Sequence, residues 1–203
     1  ILERALRLSL RQGRRQVCLE LFSGKGGISQ AFCKRGWGVV SIDLNQGFDL
    51  TCKLVVDLIT GWISSRVVAA VWLGTPCSSW SRARHDIDGH GPRTRSHIHG
   101  CPGLGPLDEE RIKIGNQTMK VSARFIQCAK LANIPCGLEN PDSSMLWLAP
   151  EISKLIRDAL IIKQDIASTD AVGESAQDSH FGTSLTPPHL KLRYAMAGGA
   201  SAV

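Results

Sequence analysis

Short apolar runs alternate with segments of helical periodicity along most of the chain. Four of these runs are continuous and are bounded by turn residues: residues 16–22, 38–42, 66–73 and 134–138. Continuous apolar runs of this length are typical of strands that are buried on both faces of a sheet. A further short strand is expected to end near Phe48 and Asp49, and residues 161–163 form another candidate strand.

Between the runs, apolar residues recur at intervals of three and four positions, which predicts amphipathic helices. The predicted helices span residues 1–15, 28–36, 51–62, 108–132 and 150–160. Strands that alternate with helices favour an α/β fold with a mostly parallel sheet and helices on both faces.

The same pattern divides the chain into three parts. Residues 1–16 are expected to form a basic N-terminal helix, and residues 17–166 the main α/β domain. Residues 167–203 carry no clear periodicity and are assigned as a C-terminal segment, incomplete or disordered, that ends in a tail (AMAGGASAV). Residues 81–107 are rich in Arg, His, Gly and Pro and predict a long loop, a feature that is usually functional or mobile in a compact domain.

Composition narrows the class of protein. With 203 residues, of which 43% are hydrophobic, the chain can bury a core, which excludes a disordered protein. No apolar run approaches the roughly 20 residues of a membrane-spanning helix, so a spanning protein is excluded. The net charge of +6 favours a polyanionic partner.

Cysteine usage and the first residues indicate the compartment. The chain has seven cysteines and no Cys-x-x-Cys pair, which favours a reduced, intracellular protein: nuclear in a eukaryote, otherwise cytoplasmic. The first residues show no secretory signal. The absence of an initiator methionine predicts that the chain is a fragment of a longer product.

Chemically distinctive residues follow the predicted strands. They are the segment SGKGG at 23–27, Asp43, Asp49, the segment TPCSSWS at 75–81, and Glu139-Asn140-Pro141. Because parallel strands end at the same edge of a sheet, and ligands bind at that edge, these residues are expected to form one site.

Each segment has a chemical interpretation and a plainer one. Glycines let the backbone approach a ligand closely, and Asp43 can accept hydrogen bonds from both hydroxyls of a ribose. Cys77 follows a proline in a polar turn, where Arg82 and Arg84 would favour its thiolate, and Glu139 could act as the acid partner. The plainer interpretations are a common glycine turn, a solvated aspartate, a structural cysteine and an Asx-capped turn.

In this order, the segments LELFSGKGG, GTPCSSWS and LENP resemble the DNA cytosine-5 methyltransferases, with the chain as a short, divergent member. That family has a Phe-x-Gly-x-Gly loop, a Pro-Cys nucleophile loop and a Glu-Asn dipeptide, and the resemblance covers residues 17–148. It implies a Rossmann-like, class I methyltransferase fold that uses S-adenosylmethionine to methylate C5 of cytosine in DNA.

The resemblance also implies roles for individual residues. The residues implied to bind the cofactor are Phe22, Ser23, Gly24, Gly26, Gly27, Asp43 and Asp49, with Asp43 at the ribose and Asp49 near the adenine. Cys77 would attack C6 of a flipped cytosine, while Glu139 would contact N3 and the exocyclic amine. The residues implied to contact the substrate are Pro76, Ser78, Arg82, Arg84 and Asn140, and Arg93 and Arg95 of the basic loop would also hold phosphates. No metal is implied.

Departures from the family pattern keep other functions open. Ser78 stands where the family has Gln, Pro141 stands where it has Val, and no target-recognition domain is apparent. One alternative is therefore a catalytically inactive domain that binds cofactor or nucleic acid. Another is a zinc-bearing nucleic-acid module, for which the candidate ligands crowd one loop: His85, His90, His97, His99 and Cys101. An amino-methyltransferase is less favoured, because its Asn/Asp-Pro-Pro-aromatic signature is replaced by Thr-Pro-Cys-Ser.

Overall fold

The computed structural model of the protein describes residues 1–11, 16–81, 91–157, 160–166 and 190–197. The helices are α1 (Leu2–Arg11), α2 (Gly27–Lys34), α3 (Lys53–Ser64), α4 (Pro106–Ala132) and α5 (Pro150–Ser153). The strands are β1 (Val17–Leu21), β2 (Gly38–Ile42), β3 (Ala70–Leu73), β4 (Cys136–Pro141), β5 (Leu160–Ile166) and β6 (Leu190–Ala197). Short 3-10 helices lie at Leu44–Gln46 and Met145–Leu148.

The strands form one sheet in the order β2-β1-β3-β4-β6-β5. Neighbours among the first four strands are parallel, whereas β6 runs antiparallel to both β4 and β5. The protein is therefore an α/β protein with a four-stranded parallel sheet and flanking helices, which is compatible with a Rossmann-like fold and confirms that level of the prediction.

Strand β1 shows that both faces of the sheet are covered. Its five residues are all buried, and successive side chains of a strand point to opposite faces. Helices α1 and α2 contact β1 and β2, while α4 contacts β4 and β6 and packs against α3. The continuous apolar sequence of β1 follows from this two-sided burial.

No helix in the described part of the chain has the length and apolar character that a membrane crossing requires.

The expected short strand near Phe48 and Asp49 is wrong. Residues 44–46 form a 3-10 helix instead, which begins where the Asp43 carboxylate accepts a hydrogen bond from Asn45 N. It ends at Gly47, whose φ of 82° reverses the chain. Strand β2 consequently stands at one edge of the described sheet.

Two other boundaries differ from the sequence prediction. The helix predicted over 150–160 ends at Ser153, and β5 occupies residues from Leu160 onward. Residues 190–197, assigned to the disordered C-terminal segment and its tail, form β6, and the placement of the main domain's end at residue 166 leaves out this strand. Residues 167–189 and 198–203 lie outside the described residues.

Candidate active site

The carboxyl ends of four parallel strands lie in register at one edge of the sheet. Leu21 pairs with Ile42 on one side and with Leu73 on the other, and Leu73 pairs with Leu138. The residues that follow these positions are therefore neighbours at the edge: Phe22, Asp43, Gly74 and Glu139. The register thus brings together the segments that the sequence analysis assigned to this edge.

The loop after β1 has left-handed backbone at three alternate positions. The φ angles are 56° at Phe22, 52° at Gly24 and 71° at Gly26. Glycine adopts such angles without steric penalty, whereas a bulky residue such as Phe22 is strained there, a condition that clusters at functional sites. A Cβ added at Gly24 or at Gly27 would meet no atom within 4 Å, so this loop borders open space.

A buried carboxylate holds the start of α2, which directly follows the glycine loop. Glu20, on β1, is only 4% exposed and accepts hydrogen bonds from Ile28 N (3.3 Å) and Ser29 N (2.7 Å). Both N–H groups belong to the first turn of α2, where the helix itself offers no acceptor, so Glu20 supplies it. Ser23, also buried, has an Oγ with no hydrogen-bond partner among the described residues.

Asp43 joins the glycine loop to the end of β2. Its Oδ2 accepts from Gly24 N at 3.0 Å and its Oδ1 accepts from Asn45 N at 2.9 Å. Each carboxylate oxygen has two lone pairs, so Asp43 keeps the capacity to accept from ribose hydroxyls. The exposed Asp49 carries the second carboxylate, and its Oδ1 accepts from both N and Oγ1 of Thr51 at 2.7 Å.

A cleft of about 380 Å³ lies between these loops and α4. Its walls combine carboxylates with apolar side chains and include Phe22, Asp43, Leu44, Phe48, Asp49 and Pro76. That volume and that mixture are typical of small-ligand sites. The cleft therefore collects three of the residues assigned to cofactor binding and one assigned to the substrate.

The residue after Pro76 is Cys77, which begins a tight turn. Its carbonyl oxygen accepts from both Trp80 N and Ser81 N at 2.9 Å. Cys77 is partly exposed, whereas Cys18 and Cys136 are buried, and burial raises the pKa of each of those two thiols to about 12. The partial exposure of Cys77 separates it from these structural cysteines.

Two elements hold the backbone just before Cys77. The Thr75 hydroxyl lies 2.7 Å from Ser122 Oγ on α4, and the Thr75 carbonyl accepts from Asn140 Nδ2 on β4 at 2.7 Å. Asn140 is 2% exposed, and its Oδ1 has no hydrogen-bond partner among the described residues. Asn140 therefore anchors the turn through one end of its amide and keeps a buried acceptor at the other.

Glu139 lies beside Gly74, three residues before Cys77, and is partly buried. Its Oε2 accepts from Trp72 Nε1 at 3.0 Å, and its Oε1 lies 3.3 Å from the position that a Cβ at Gly74 would occupy. Burial is the main cause that raises the pKa of Glu139 above its ordinary value; Glu20 raises it further, and the Trp72 hydrogen bond opposes the rise. Such a carboxyl holds its proton to higher pH than an exposed one does.

The expected phosphate-binding role of Arg93 is wrong. Arg93 is 2% exposed, and its guanidinium is bonded within the protein, so it cannot reach a phosphate. Arg95 and Ser78 are exposed, as a contact with a substrate requires. Arg82 and Arg84 lie outside the described residues.

Three of the candidate zinc ligands lie in the described residues. His97 Nδ1 is within hydrogen-bond distance of the Thr94 and Ser96 hydroxyls, His99 Nε2 lies 3.5 Å from Glu151, and the Cys101 thiol donates to Gly91 O. Within the described ranges, no group of three or more His, Cys, Asp or Glu side chains is placed to hold a metal. His85 and His90 lie outside those ranges.

Sequence reasoning missed three residues that shape the site: Glu20, Trp72 and Gly74. Glu20 had a usable signal, since a charged residue in the middle of a fully apolar strand needs a buried partner. Gly74 and Trp72 gave no comparable signal, because their importance depends on β4 lying beside β3.

Comparisons of the chain with protein-family models, with curated proteins and with solved structures returned no match. A functional assignment for this chain therefore depends on its own residues and on their geometry at the sheet edge.

Proposed function

We propose that the protein transfers a methyl group from S-adenosylmethionine to C5 of cytosine in DNA, with Cys77 as nucleophile and Glu139 as its acid partner. The observation that carries the proposal is that the candidate cofactor residues and Cys77 lie at the same edge of the sheet. A cleft lined by Phe22, Asp43 and Asp49 also includes Pro76, and the next residue is Cys77. The class I methyltransferase fold implied by the sequence resemblance belongs to this proposal.

The residues of the cleft fit an adenosine-containing cofactor. The side chains of Leu44 and Phe48 offer apolar surface to an adenine, and Asp43 offers acceptors to a ribose. Gly24 and Gly27 leave open space beside the glycine loop, and Ser23 Oγ is a buried group without a partner among the described residues. When bound there, the cofactor would supply an electrophilic methyl group.

Cys77 and Glu139 supply the activation that C5 of cytosine needs. The Cys77 sulfur forms a bond to C6, and the displaced electron pair makes C5 an enamine-like carbon that can take up the methyl group. Glu139 gives its proton to N3, where negative charge would otherwise develop. Loss of the C5 proton to water, return of the N3 proton to Glu139 and cleavage of the sulfur–C6 bond then restore the aromatic ring and the carboxyl group, and release the Cys77 sulfur in the form in which it attacked.

The raised pKa of Glu139 supports the acid role, since a general acid must keep its proton near the pH at which it works. The base must leave the double helix to reach a site at a sheet edge, at a cost of roughly a few kcal/mol. The net charge of +6 is consistent with a polyanionic substrate that meets this cost through backbone contacts.

Calorimetric titration with S-adenosylmethionine tests the cofactor assignment. Asp43→Asn should weaken binding about tenfold or more, because a charge-assisted hydrogen bond contributes about 1.5–3 kcal/mol. The matched control is Asp108→Asn, at a partly exposed position in the first turn of α4 where the carboxylate pairs only with Arg111 in the described structure. Equal affinities in the two variants, or no binding by the unaltered protein, would contradict the assignment.

Covalent capture tests the nucleophile. Incubation with DNA that contains 5-fluorocytosine, together with the cofactor, should yield a denaturant-resistant adduct at Cys77, because fluorine at C5 blocks the proton loss that releases the thiol. Cys77→Ser should abolish the adduct, while Cys33→Ser, at an exposed cysteine of α2, should leave it unchanged. Cofactor binding without any adduct would favour the catalytically inactive alternative.

A further inference from the structure

Arg93 is a buried cation whose hydrogen bonds all stay inside the protein. Its Nε donates to Ser79 O at 2.9 Å, and its Nη2 donates to Ser79 Oγ at 3.1 Å and to Ile112 O at 3.4 Å. Its Nη1 donates to Ile98 O at 2.6 Å and to Asn116 Oδ1 at 2.8 Å. These contacts account for all five N–H donors of a guanidinium.

The contacts join three separate parts of the chain. Ser79 belongs to the turn that begins at Cys77, Ile98 to the following loop, and Asn116 to α4. The guanidinium carbon also lies 3.4 Å from the centre of the Trp80 ring, in a cation–π arrangement on the same turn. Ser79 and Trp80, two consecutive residues of the turn that begins at Cys77, therefore both contact the Arg93 side chain.

No carboxylate in the described residues forms an ion pair with Arg93. Burial lowers the pKa of the guanidinium to about 10, so the group stays charged at neutral pH. A buried charge without a counter-ion is expensive and persists only where its hydrogen bonds are complete. The turn and α4 supply most of those acceptors. Displacing either element would therefore leave the buried guanidinium with unsatisfied N–H groups.

Gly115 shows how closely the turn approaches α4. A Cβ added at Gly115 would overlap Ser79 Oγ and would lie 3.0 Å from Arg93 Nη2. The neighbouring Asn116 donates its Nδ2 to His99 O at 2.8 Å, so both ends of its amide are used to hold the loop and Arg93. Gly115 and Asn116 thus form the surface of α4 on which Ser79 and Arg93 pack; this surface is called the Gly115-Asn116 seat.

We propose that Arg93 is a positioning residue, which holds the 77–81 turn against the Gly115-Asn116 seat and so keeps Cys77 at the sheet edge. The claim about the turn depends on geometry alone, whereas its catalytic consequence rests on the proposed function of Cys77. Lysine cannot replace arginine here, because one ammonium group cannot make five bonds in the fixed directions of a planar fork.

Alkylation of the cysteines by iodoacetamide, followed residue by residue with mass spectrometry, tests the inference without any need for activity. The protein carries its own references: Cys33 and Cys52 are exposed, and Cys18 and Cys136 are buried. In Arg93→Lys, the Cys77 labelling rate should rise several-fold, while the exposed pair keeps its rate and the buried pair stays protected. Covalent capture of fluorocytosine DNA should fall, with cofactor affinity unchanged.

A second variant approaches the same contact from α4. Gly115→Ala pushes Ser79 away from the helix and should raise the Cys77 labelling rate in the same way. The matched control is Gly61→Ala in α3, where an added Cβ would meet no atom within 4 Å and Cys77 should be unaffected. If Arg93→Lys also exposes Cys18 and Cys136, the variant has unfolded and Gly115→Ala decides the question.

The inference is overturned if the folded variants label Cys77 at the rate of the unaltered protein, or if labelling rises while capture is undiminished. Increased labelling in a protein whose unaltered form captures no DNA would instead contradict the proposed function and leave the role of Arg93 in holding the turn supported.

Discussion

Trp72 donates its indole N–H to Glu139 Oε2 at 3.0 Å, from one strand of the sheet to the next. One oxygen of the carboxyl group is thereby occupied, and the other, Oε1, faces the position of Gly74. A hydrogen bond to the ionised form favours ionisation, so Trp72 limits the rise in the pKa of Glu139 that burial causes.

The Trp72→Phe variant should therefore raise the pKa of Glu139 further. If the protonated carboxyl is the active form, the pH above which covalent capture declines should move upward. Carbon-13 NMR of the Glu139 carboxyl would show the same displacement without requiring activity. The control is Trp62→Phe, at a buried position in α3, and an unmoved titration in Trp72→Phe would contradict the role given to the indole.

Glu139→Gln should stabilise the fold at neutral pH. The pKa of Glu139 is raised in the folded protein, so its contribution to stability is fully present below the ordinary value of 4.5 and is lost as pH rises through the raised value. Glutamine keeps an oxygen that accepts from Trp72 and removes the ionisation. The melting temperature of the variant should exceed that of the unaltered protein at pH 7, and the difference should shrink towards pH 4. A difference that grows on acidification would contradict the predicted direction of the effect.

Gly74→Ala should destabilise the protein by about 1–3 kcal/mol, the usual range for overpacking. An added Cβ would lie 2.8 Å from Phe22 O and 3.3 Å from Glu139 Oε1, so it would separate the glycine loop from the acid. Urea titration measures the loss, with Gly61→Ala as the control that should be neutral or stabilising, because it improves helix propensity in open space. Equal stabilities of the two variants would contradict the tight contact at Gly74.

Glu20→Ala should loosen the start of α2 and cost about 1–2 kcal/mol, comparable with loss of a helix cap. Hydrogen exchange at the amides of Ile28 and Ser29 should accelerate, because both donate to this carboxylate. Glu110→Ala, at an exposed position paired with Lys113, is the control and should leave those amides unchanged. If these two amides exchange at an unchanged rate in Glu20→Ala, another group must accept their hydrogen bonds.

The sequence predicted the parts of the fold that depend on local pattern. Strands β1, β2, β3 and β4 overlap the predicted apolar runs, because two-sided burial demands uninterrupted apolar residues. The chemistry-bearing segments reach one edge because parallel strands end together. The strand expected near Asp49 failed because capping by Asp43 and the left-handed Gly47 favour a turn, and neither changes the apolar content of the segment.

The errors that concern function arise from tertiary contacts. Arginine in a loop rich in Gly and Pro is ordinarily solvated, and nothing local indicates that Arg93 is enclosed by Ser79, Ile112 and Asn116. Strand β6 had a usable local signal that was overlooked: its sequence LKLRYAMA alternates apolar residues with Lys191 and Arg193. Its place between β4 and β5, in contrast, depends on tertiary pairing. Local periodicity carries no information about the enclosure of Arg93 or about the order of the strands in the sheet.

The position of β6 has a consequence for how the molecule is made. This strand separates β4 from β5, and its register sets Tyr194 beside Glu139 and Arg193 beside Asn140. On the ribosome, β4 and β5 emerge well before residues 190–197, so the nascent chain carries an unpaired β4 edge at the very place where the acid and the anchor of the turn reside. A polypeptide released before residue 190 would keep every residue assigned to catalysis and still present an unpaired β4 edge there, so assembly of the site waits until β6 has been synthesised.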